Sequence, residues 1–230
     1  MTYIFDPHPQ PSLAIEKQTE RFPIRRIFCV GRNYADHARE MGHDDREPPF
    51  FFSKPADSLV ENGATLPYPS FTQNLHYEAE LVVAIGKRAD AVTEADAADH
   101  IFGYAAGNDL TRRDLQAQAK TAGRPWDMAK GFDRSAVVGP IHRVSQIGHL
   151  SQGAIRLTKN GEVMQDGDIS DMIWSVPEII SYLSGLVTLE PGDLIMTGTP
   201  AGVGPLGAGD TAIVSIDALP DLTVTIGQPT

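Results

Sequence analysis

The sequence predicts an α+β fold that is rich in strands and forms one large domain. Short apolar or alternating runs bounded by turn residues recur along the 230-residue chain, which contains 21 Gly and 17 Pro. In AIRLTKNGEVM, Asn160 and Gly161 separate two alternating runs and suit the type I′ turn of a β-hairpin. We expect an N-terminal extension over residues 1–23 and a single domain over residues 24–230.

Four runs predict the main strands of this domain. They are IRRIFCVG (24–31), FFFSKP (50–55), HYEAELVVAIG (76–86) and IFGYAAGND (101–109). The first ends at Gly31 and the second at Pro55, and both residue types commonly stop a strand. Residues 193–219 predict two further strands with a glycine-rich loop between them.

The predicted helices are short. They cover residues 33–41, 93–100, 111–123 and 175–185. Gly123 ends the third helix and Gly185 ends the fourth. Ser175 precedes the fourth helix, and Glu178 follows three residues later, which is the capping-box pattern of a helix N-terminus.

Charge and composition exclude several classes of function. The formal net charge is −11 and no basic stripe occurs, so nucleic acids and anionic membrane surfaces are poor partners. Cys29 is the only cysteine, which excludes a disulfide within the chain and a cysteine-rich zinc site. The N-terminus lacks a signal-peptide pattern, and no apolar stretch approaches the length of a membrane span. We therefore predict a soluble, cytoplasmic protein.

Three acidic residues are the strongest candidates for a functional site. Glu78 and Glu80 lie two positions apart in a predicted strand, so their side chains share one face, and Asp109 follows in GNDLTRRDLQ. Neighbouring carboxylates on a half-buried strand repel each other unless a positive charge lies between them. A divalent cation with oxygen ligands supplies that charge, and Asp109 would be its third ligand. The alternative is a solvated strand end, where acidic side chains usually lie.

His37 and Glu40 form the second candidate group. Their i, i+3 spacing on a predicted helix puts both side chains on one face. A carboxylate beside an imidazole orients the ring and raises its basicity, which a general base for water requires. The alternative is a solvent-facing pair on an amphipathic helix.

Four further polar residues have both a functional and an ordinary interpretation. Lys130 could be a catalytic or anion-binding ammonium, or a solvated surface lysine. Thr199 could present its hydroxyl and nearby backbone N–H groups to an anion, or lie in an ordinary turn. Arg113 and Gln116 share a helix face and could contact a substrate, or Arg113 could simply pair with Asp114 at the surface.

These motifs occur in an order that resembles the fumarylacetoacetate hydrolase superfamily, from about Ile24 to Ile226. The ordered set is H-x-x-E, E-x-E, D-x-T-x-R-D-x-Q, a lone Lys and T-G-T-P. It lies in the stretches GRNYADHAREMG, PPFFFSKPADSLV, HYEAELVVAIG, GNDLTRRDLQ, GRPWDMAKGFD, WSVPEIISYLS and PGDLIMTGTPAGVG. The resemblance implies a strand-rich mixed β-sandwich roll, of the type found in the C-terminal domain of these enzymes, and a homodimer.

The resemblance also implies the roles of the acidic residues and of the histidine. Glu78, Glu80 and Asp109 would bind Mg²⁺ or Mn²⁺. His37, held by Glu40, would activate the attacking water.

Other residues would contact the substrate. Four would face the substrate: Lys130, Arg113, Gln116 and Thr199. A further arginine, either Arg32 or Arg124, would bind a distal carboxylate through two parallel hydrogen bonds.

The stretches REPPFFFSKPADSLV and DLTRRDLQAQAKTAGRPWDMAKGFD look most like bacterial fumarylpyruvate hydrolases of gentisate-type aromatic catabolism. The implied activity is hydrolysis of a carbon–carbon bond in a small-molecule acylpyruvate, namely fumarylpyruvate to fumarate and pyruvate. The alternative on the same metal site is an oxaloacetate decarboxylase, or an isomerase or decarboxylase of a 2-hydroxy-diene-dioate. A second alternative is a non-catalytic, metal-stabilised binding module, but such a module would not use the H-x-x-E pair. The chain lacks the additional N-terminal domain of the longer fumarylacetoacetate hydrolases, so their activity is not expected.

Overall fold

Strands make up most of the regular structure. A computed structural model of the chain describes residues 2–34 and 47–229. Its strands are β1 (Ser12–Ala14), β2 (Arg21–Pro23), β3 (Arg26–Gly31), β4 (Phe50–Lys54), β5 (Leu59–Glu61), β6 (Ala64–Pro67), β7 (Leu75–Tyr77), β8 (Ala79–Ile85), β9 (Ile101–Asp109), β10 (Thr111–Arg112), β11 (Ala136–Val138), β12 (His142–Arg143), β13 (Ala154–Lys159), β14 (Glu162–Asp168), β15 (Asp193–Met196), β16 (Gly204–Leu206), β17 (Thr211–Ile216) and β18 (Leu222–Gly227).

Helices are short in the described part of the chain. They are α1 (Arg113–Thr121), α2 (Asp127–Lys130), α3 (Val144–Ile147) and α4 (Val176–Leu186), with 3₁₀ turns at Ala56–Ser58, Ala97–His100 and Ile169–Asp171. None of these described helices is long and apolar enough to cross a membrane. The predominance of strands confirms the predicted strand-rich α+β class.

Two sheets form the body of the molecule. The larger sheet has the strand order β4-β3-β15-β8-β9-β11-β5, and β12 pairs with β9. It is mixed, because β15 runs parallel to β3 and β11 runs parallel to β5, while β8 is antiparallel to both of its neighbours. The smaller sheet has the order β14-β13-β17-β18-β6. A three-stranded sheet, β10-β7-β16, and the pair β1-β2 complete the strands.

Apolar side chains are buried on both faces of the large sheet. On one face, Leu81 of β8 belongs to a cluster that includes Ile155 and Val214 of the small sheet. On the other face, Val82 belongs to a second cluster that includes Leu13 of β1. Part of the predicted N-terminal extension is therefore packed into the core.

β8 alternates as predicted, but it is not half-buried. Leu81 and Val83 lie in one apolar cluster and Val82 and Ala84 in the other, which confirms the alternation. All seven residues of β8 are buried. The prediction of a half-buried strand is wrong because β8 lies in the middle of the sheet, with packed side chains on both faces. A nearly continuous apolar run is typical of such strands.

The predicted hairpin and capping box are confirmed. Asn160 (φ 53°) and Gly161 (φ 87°) join β13 to β14 with the two positive φ angles that a type I′ turn requires. At the start of α4, the backbone N–H of Ser175 donates to the Glu178 carboxylate at 2.8 Å. α4 ends at Leu186, one residue beyond Gly185.

Two of the predicted helices are not confirmed. The predicted helix over 93–100 is wrong, since only Ala97–His100 forms a 3₁₀ turn there. The Thr93 hydroxyl bonds the Asp96 carboxylate at 2.6 Å and also accepts from the Asp96 N–H, and such local bonds compete with helix formation. Residues 35–41 of the helix predicted over 33–41 lie outside the described residues.

Substitutions on the two faces of β8 test its burial on both sides. We expect Leu81→Ala to lower the free energy of unfolding by about 2–5 kcal/mol, and Val82→Ala by roughly 1.5 kcal/mol, because each truncates a fully buried side chain. Val163→Ala is the control, since Val163 is exposed, and should change it by less than about 0.5 kcal/mol. Equilibrium urea denaturation measures all three. A Val82→Ala effect as small as the control would contradict packing on the second face.

Candidate functional site

The pairing of β8 with β9 brings the three acidic residues together. Glu78 lies between β7 and β8, Glu80 is in β8, and Asp109 is the last residue of the antiparallel strand β9. The Asp109 N–H donates to the Glu78 carbonyl oxygen at 2.9 Å, which fixes the register at this point. Each of the three side chains offers an oxygen, and these oxygens lie within 4.8 Å of one another.

This carboxylate cluster (Glu78, Glu80 and Asp109) is buried. The three residues are 5%, 2% and 0% exposed, respectively. The alternative of a solvated strand end is therefore wrong, because the strand pairs and the packed loops around them exclude water. Buried carboxylates are stable only when they are paired or bound to a cation.

Cations surround two of the three carboxylates. Lys130 Nζ donates to Glu78 Oε2 at 2.6 Å and to Asp109 Oδ2 at 2.7 Å. Lys54 Nζ lies 2.7 Å from Asp109 Oδ1, and Arg113 Nη2 lies 2.5 Å from Glu78 Oε1. The interpretation of Lys130 as a solvated surface lysine is wrong, since its side chain is 3% exposed. Burial lowers the pKa of Lys130, but Asp109 and Glu78 outweigh burial and raise it overall.

Glu80 is the least neutralised member of the cluster. Within the described part of the chain it forms no ion pair, and it accepts a hydrogen bond from the Gly198 N–H at 2.8 Å. Burial raises the pKa of Glu80 well above its usual value, and the charges of Asp109 and Glu78 raise it further. An additional positive charge beside Glu80 would favour its ionised form.

The donor set fits a hard divalent cation. All three groups are carboxylates, the ligand type that Mg²⁺ and Mn²⁺ prefer. Asp109 Oδ1 is buried and accepts no well-aligned hydrogen bond from the described residues, although the Lys54 ammonium is close to it. Glu80 needs a counter-charge as well, so the cluster suits one cation held by Glu78, Glu80 and Asp109.

A glycine and a threonine after β15 close one side of the cluster. Gly198 adopts a φ of 98°, and a Cβ there would lie 2.8 Å from the Cβ of Asn33, so only glycine fits and points its N–H at Glu80. Thr199 is 3% exposed, and its hydroxyl oxygen accepts from Gln165 Nε2 at 2.8 Å. Thr199 lies in the connection between β15 and β16, as the alternative of a turn between two strands has it, but this connection is buried and lines the site.

Arg113 faces the cluster and not Asp114. Its guanidinium donates to Glu78 and, at 2.6 Å, to Gln116 Oε1. Asp114 instead accepts from the Thr72 hydroxyl at 2.7 Å. The interpretation in which Arg113 pairs with Asp114 is wrong because the two side chains leave α1 on different faces.

Most of the predicted site residues line a cavity next to the cluster. Its lining includes Glu78, Glu80, Lys130, Arg113, Gln116, Thr199 and Arg32. Asp109 is connected to these lining residues by the hydrogen bond that it accepts from Lys130. Of the two arginines proposed for a distal carboxylate, Arg32 lines the cavity, whereas Arg124 is exposed on the surface. His37 and Glu40 lie outside the described residues.

Three polar residues of the site have no counterpart in the sequence predictions. Lys54, 2% exposed, donates to the Leu110 carbonyl at 3.1 Å and also to that of Lys130. Gln165 positions Thr199. Lys120 lines the cavity seven residues after Arg113, on the helix face that Arg113 and Gln116 share. Two of the three had a signal in the sequence. Lys54 ends the otherwise apolar run FFFSK, and Lys120 extends the predicted helix face by one turn.

Comparisons with known proteins agree with this geometry. The family model "Fumarylacetoacetate (FAA) hydrolase C-terminal" matches residues 26–227. The chain is 46% identical to a fumarylpyruvate hydrolase of Ralstonia sp, over 79% of this chain and 94% of that protein. It is 43% identical to a mitochondrial oxaloacetate tautomerase of Homo sapiens, over 89% of this chain and 93% of that protein.

A solved structure is also similar over the whole chain. The crystal structure of fumarylpyruvate hydrolase from Pseudomonas aeruginosa, in complex with Mn²⁺ and pyruvate, matches with a TM-score of 0.96 and 50% identity, and covers 99% of this chain and 100% of that one. This match confirms the predicted β-sandwich roll. Because the family model spans nearly all of the chain and close relatives share both sequence and fold, the chain belongs to the fumarylacetoacetate hydrolase family.

Proposed function

We propose that this protein is a metal-dependent hydrolase that cleaves a carbon–carbon bond in an acylpyruvate, with fumarylpyruvate as substrate and fumarate and pyruvate as products. The observation that carries this proposal is the buried carboxylate cluster beside a cavity lined by cationic side chains. Such a cavity suits an anionic keto acid. The similarity to fumarylpyruvate hydrolases supports the choice of acylpyruvate, and would place the protein in gentisate-type aromatic catabolism.

The resident cofactor would be Mg²⁺ or Mn²⁺, held by Glu78, Glu80 and Asp109. The similar Pseudomonas aeruginosa enzyme, whose structure contains Mn²⁺ and pyruvate, supports this choice. When bound, the cation would supply Lewis-acid stabilisation of the negative charge that develops on the keto-acid end of the substrate.

The protein's own groups would hold the substrate and compensate charge. Lys130 is fixed by two charge-assisted hydrogen bonds, so its ammonium needs no rearrangement to face negative charge in the cavity. Gln165 fixes the Thr199 hydroxyl oxygen as an acceptor, which leaves the hydroxyl hydrogen available to a substrate oxygen. Arg113 and Gln116 are hydrogen-bonded to each other and line the same cavity.

His37 and Glu40 would activate water, as the family resemblance implies. His37 would take a proton from water as the oxygen adds to the distal carbonyl of the substrate. The carbon–carbon bond to the pyruvyl fragment then breaks, and its electron pair passes to that fragment. The pyruvyl fragment takes up a proton and leaves as pyruvate, while the acyl fragment leaves as fumarate.

A second candidate is tautomerisation of oxaloacetate. The 43% identity to a human oxaloacetate tautomerase, over most of both chains, favours it. Both candidate substrates are anionic keto acids, and both reactions would use the same carboxylate cluster. They differ in products, because tautomerisation breaks no carbon–carbon bond and needs no water.

The first prediction from this proposal concerns metal affinity. Glu80→Gln should lower the apparent affinity for Mn²⁺ by at least about 100-fold, since even partners of metal ligands typically contribute 10–100-fold. Glu94→Gln is the matched control, because Glu94 is exposed and lies outside the cavity. Titration calorimetry after EDTA treatment measures both. Equal Mn²⁺ affinity in the two variants would contradict a metal site at Glu80.

The second prediction is a pH dependence of stability in the metal-free protein. Because the folded-state pKa of Glu80 is raised, the folded protein keeps a proton that the unfolded chain loses, so stability should fall as the pH rises above the usual carboxyl pKa of 4.5. Glu80→Gln should remove this contribution, and saturating Mn²⁺ should remove it from the wild type. Melting temperatures in EDTA between about pH 5 and 8 measure the slope. Identical slopes for wild type and Glu80→Gln would exclude the effect.

The third prediction separates the two candidate reactions. With fumarylpyruvate, Mn²⁺ and the wild-type protein, we expect fumarate and pyruvate in equal amounts, and no reaction in EDTA. With oxaloacetate, we expect no release of pyruvate above the spontaneous rate. Chromatography of the products measures both.

A His37→Ala variant completes this test. Hydrolysis should fall by roughly 10²–10⁴-fold, the usual contribution of a general base, while Mn²⁺ affinity stays unchanged. Rapid keto–enol exchange of oxaloacetate, without any cleavage of fumarylpyruvate, would contradict the hydrolase proposal and support the tautomerase.

A further inference from the structure

The cations of the cavity fall into two groups. Lys54, Lys130 and Arg113 pair with Glu78 or Asp109, so the cluster already compensates their charges. Arg32 and Lys120 also line the cavity, but neither forms an ion pair with any residue in the described ranges. These two cations therefore leave an excess of positive charge on one wall.

An aromatic pair holds both cations in place. Arg32 Cζ lies 5.3 Å from the centre of the Phe50 ring, and Lys120 Nζ lies 5.2 Å from that of Trp126. The two rings pack edge to face, with centres 5.2 Å apart and an interplanar angle of 84°. Cation–π contacts hold the charged groups without neutralising them. The wall formed by Arg32, Phe50, Lys120 and Trp126 is here called the cationic wall.

The two cations destabilise each other. The pKa of Lys120 is lowered to about 8, first by burial and then by the charges of Arg32 and Arg113, while Glu78 opposes this. Arg32 Nε is buried and has no hydrogen-bond partner among the described residues, although the charge of Glu47 acts on this arginine. An anion placed between the two side chains would relieve their repulsion and supply the missing partner.

We propose that Lys120, together with Arg32, binds the second carboxylate of a dianionic substrate and thereby selects dianions such as fumarylpyruvate over monoanions such as acetylpyruvate. This inference rests on the proposed function. The carboxylate cluster and its cation would take the keto-acid end, and the cationic wall would take the other end. Lys120 is then a specificity-determining residue, while bond breaking takes place at the carboxylate cluster.

A ratio of two substrates tests the role of Lys120. In Lys120→Met, kcat/KM for fumarylpyruvate relative to kcat/KM for acetylpyruvate should fall roughly 10- to 100-fold, the worth of a charge-assisted hydrogen bond. Lys120→Arg should restore most of the ratio, because it keeps the charge. Lys87→Met is the control, since Lys87 is exposed beyond the opposite end of β8, and should leave the ratio unchanged.

The pH profile of the same ratio provides the readout that a merely structural role would not change. In the wild type the ratio should fall above about pH 8, where Lys120 loses its proton, and in Lys120→Arg it should stay level to higher pH. An unchanged ratio in Lys120→Met, or equal pH profiles for wild type and Lys120→Arg, would overturn the inference while leaving acylpyruvate hydrolysis intact. If the wild type cleaves neither substrate, the proposed function is wrong and the role of Lys120 falls with it.

Discussion

The mutual repulsion of three buried carboxylates is the constraint on which the rest of this structure depends. Glu78, Glu80 and Asp109 are almost inaccessible to water, and their oxygens lie close together. Lys130 and the neighbouring cations compensate Glu78 and Asp109 but leave Glu80 with a backbone N–H. An arrangement of this kind is costly for an apoprotein and natural for a protein that binds a divalent cation.

The fold provides this arrangement through strand pairing and not through flexible loops. Antiparallel pairing of β8 with β9 places Asp109 beside Glu78, and the end of β15 brings Gly198 against Glu80. Because both faces of β8 are packed, its side chains have little freedom to move apart. Rigid elements hold catalytic groups more accurately than loops do, which suits chemistry that depends on charge placement.

Much of the site could be predicted from the sequence, because strand alternation fixes which side chains share a face. The i, i+2 spacing placed Glu78 and Glu80 together, and the order of motifs added Asp109, Lys130 and Thr199. The burial of both faces of β8 could not be predicted, since it depends on which distant strands cover it. That Lys54 pairs with Asp109 is equally a result of tertiary contacts, as no local pattern relates the two residues.

The cationic wall, too, could be predicted from the sequence only in part. Arg113 and Gln116 were recognised as one helix face, and Lys120 continues that face by one turn. Its proximity to Trp126 and Arg32 arises only in the folded chain, where the ring of Trp126, just before α2, packs against Phe50 of β4. A sequence pattern can thus suggest that a lysine faces the site, but the uncompensated charge on that wall is a property of the folded chain.

The most direct test of the account is a crystal structure of the protein with Mn²⁺, measured at a wavelength where manganese scatters anomalously. The account predicts one anomalous peak among Glu78, Glu80 and Asp109, with a carboxylate oxygen of each within roughly 2.0–2.6 Å, the usual range for hard cations. A fully soaked crystal with no peak at this position, with Glu78 and Asp109 still held only by their lysine and arginine partners and Glu80 by the Gly198 N–H, would contradict it.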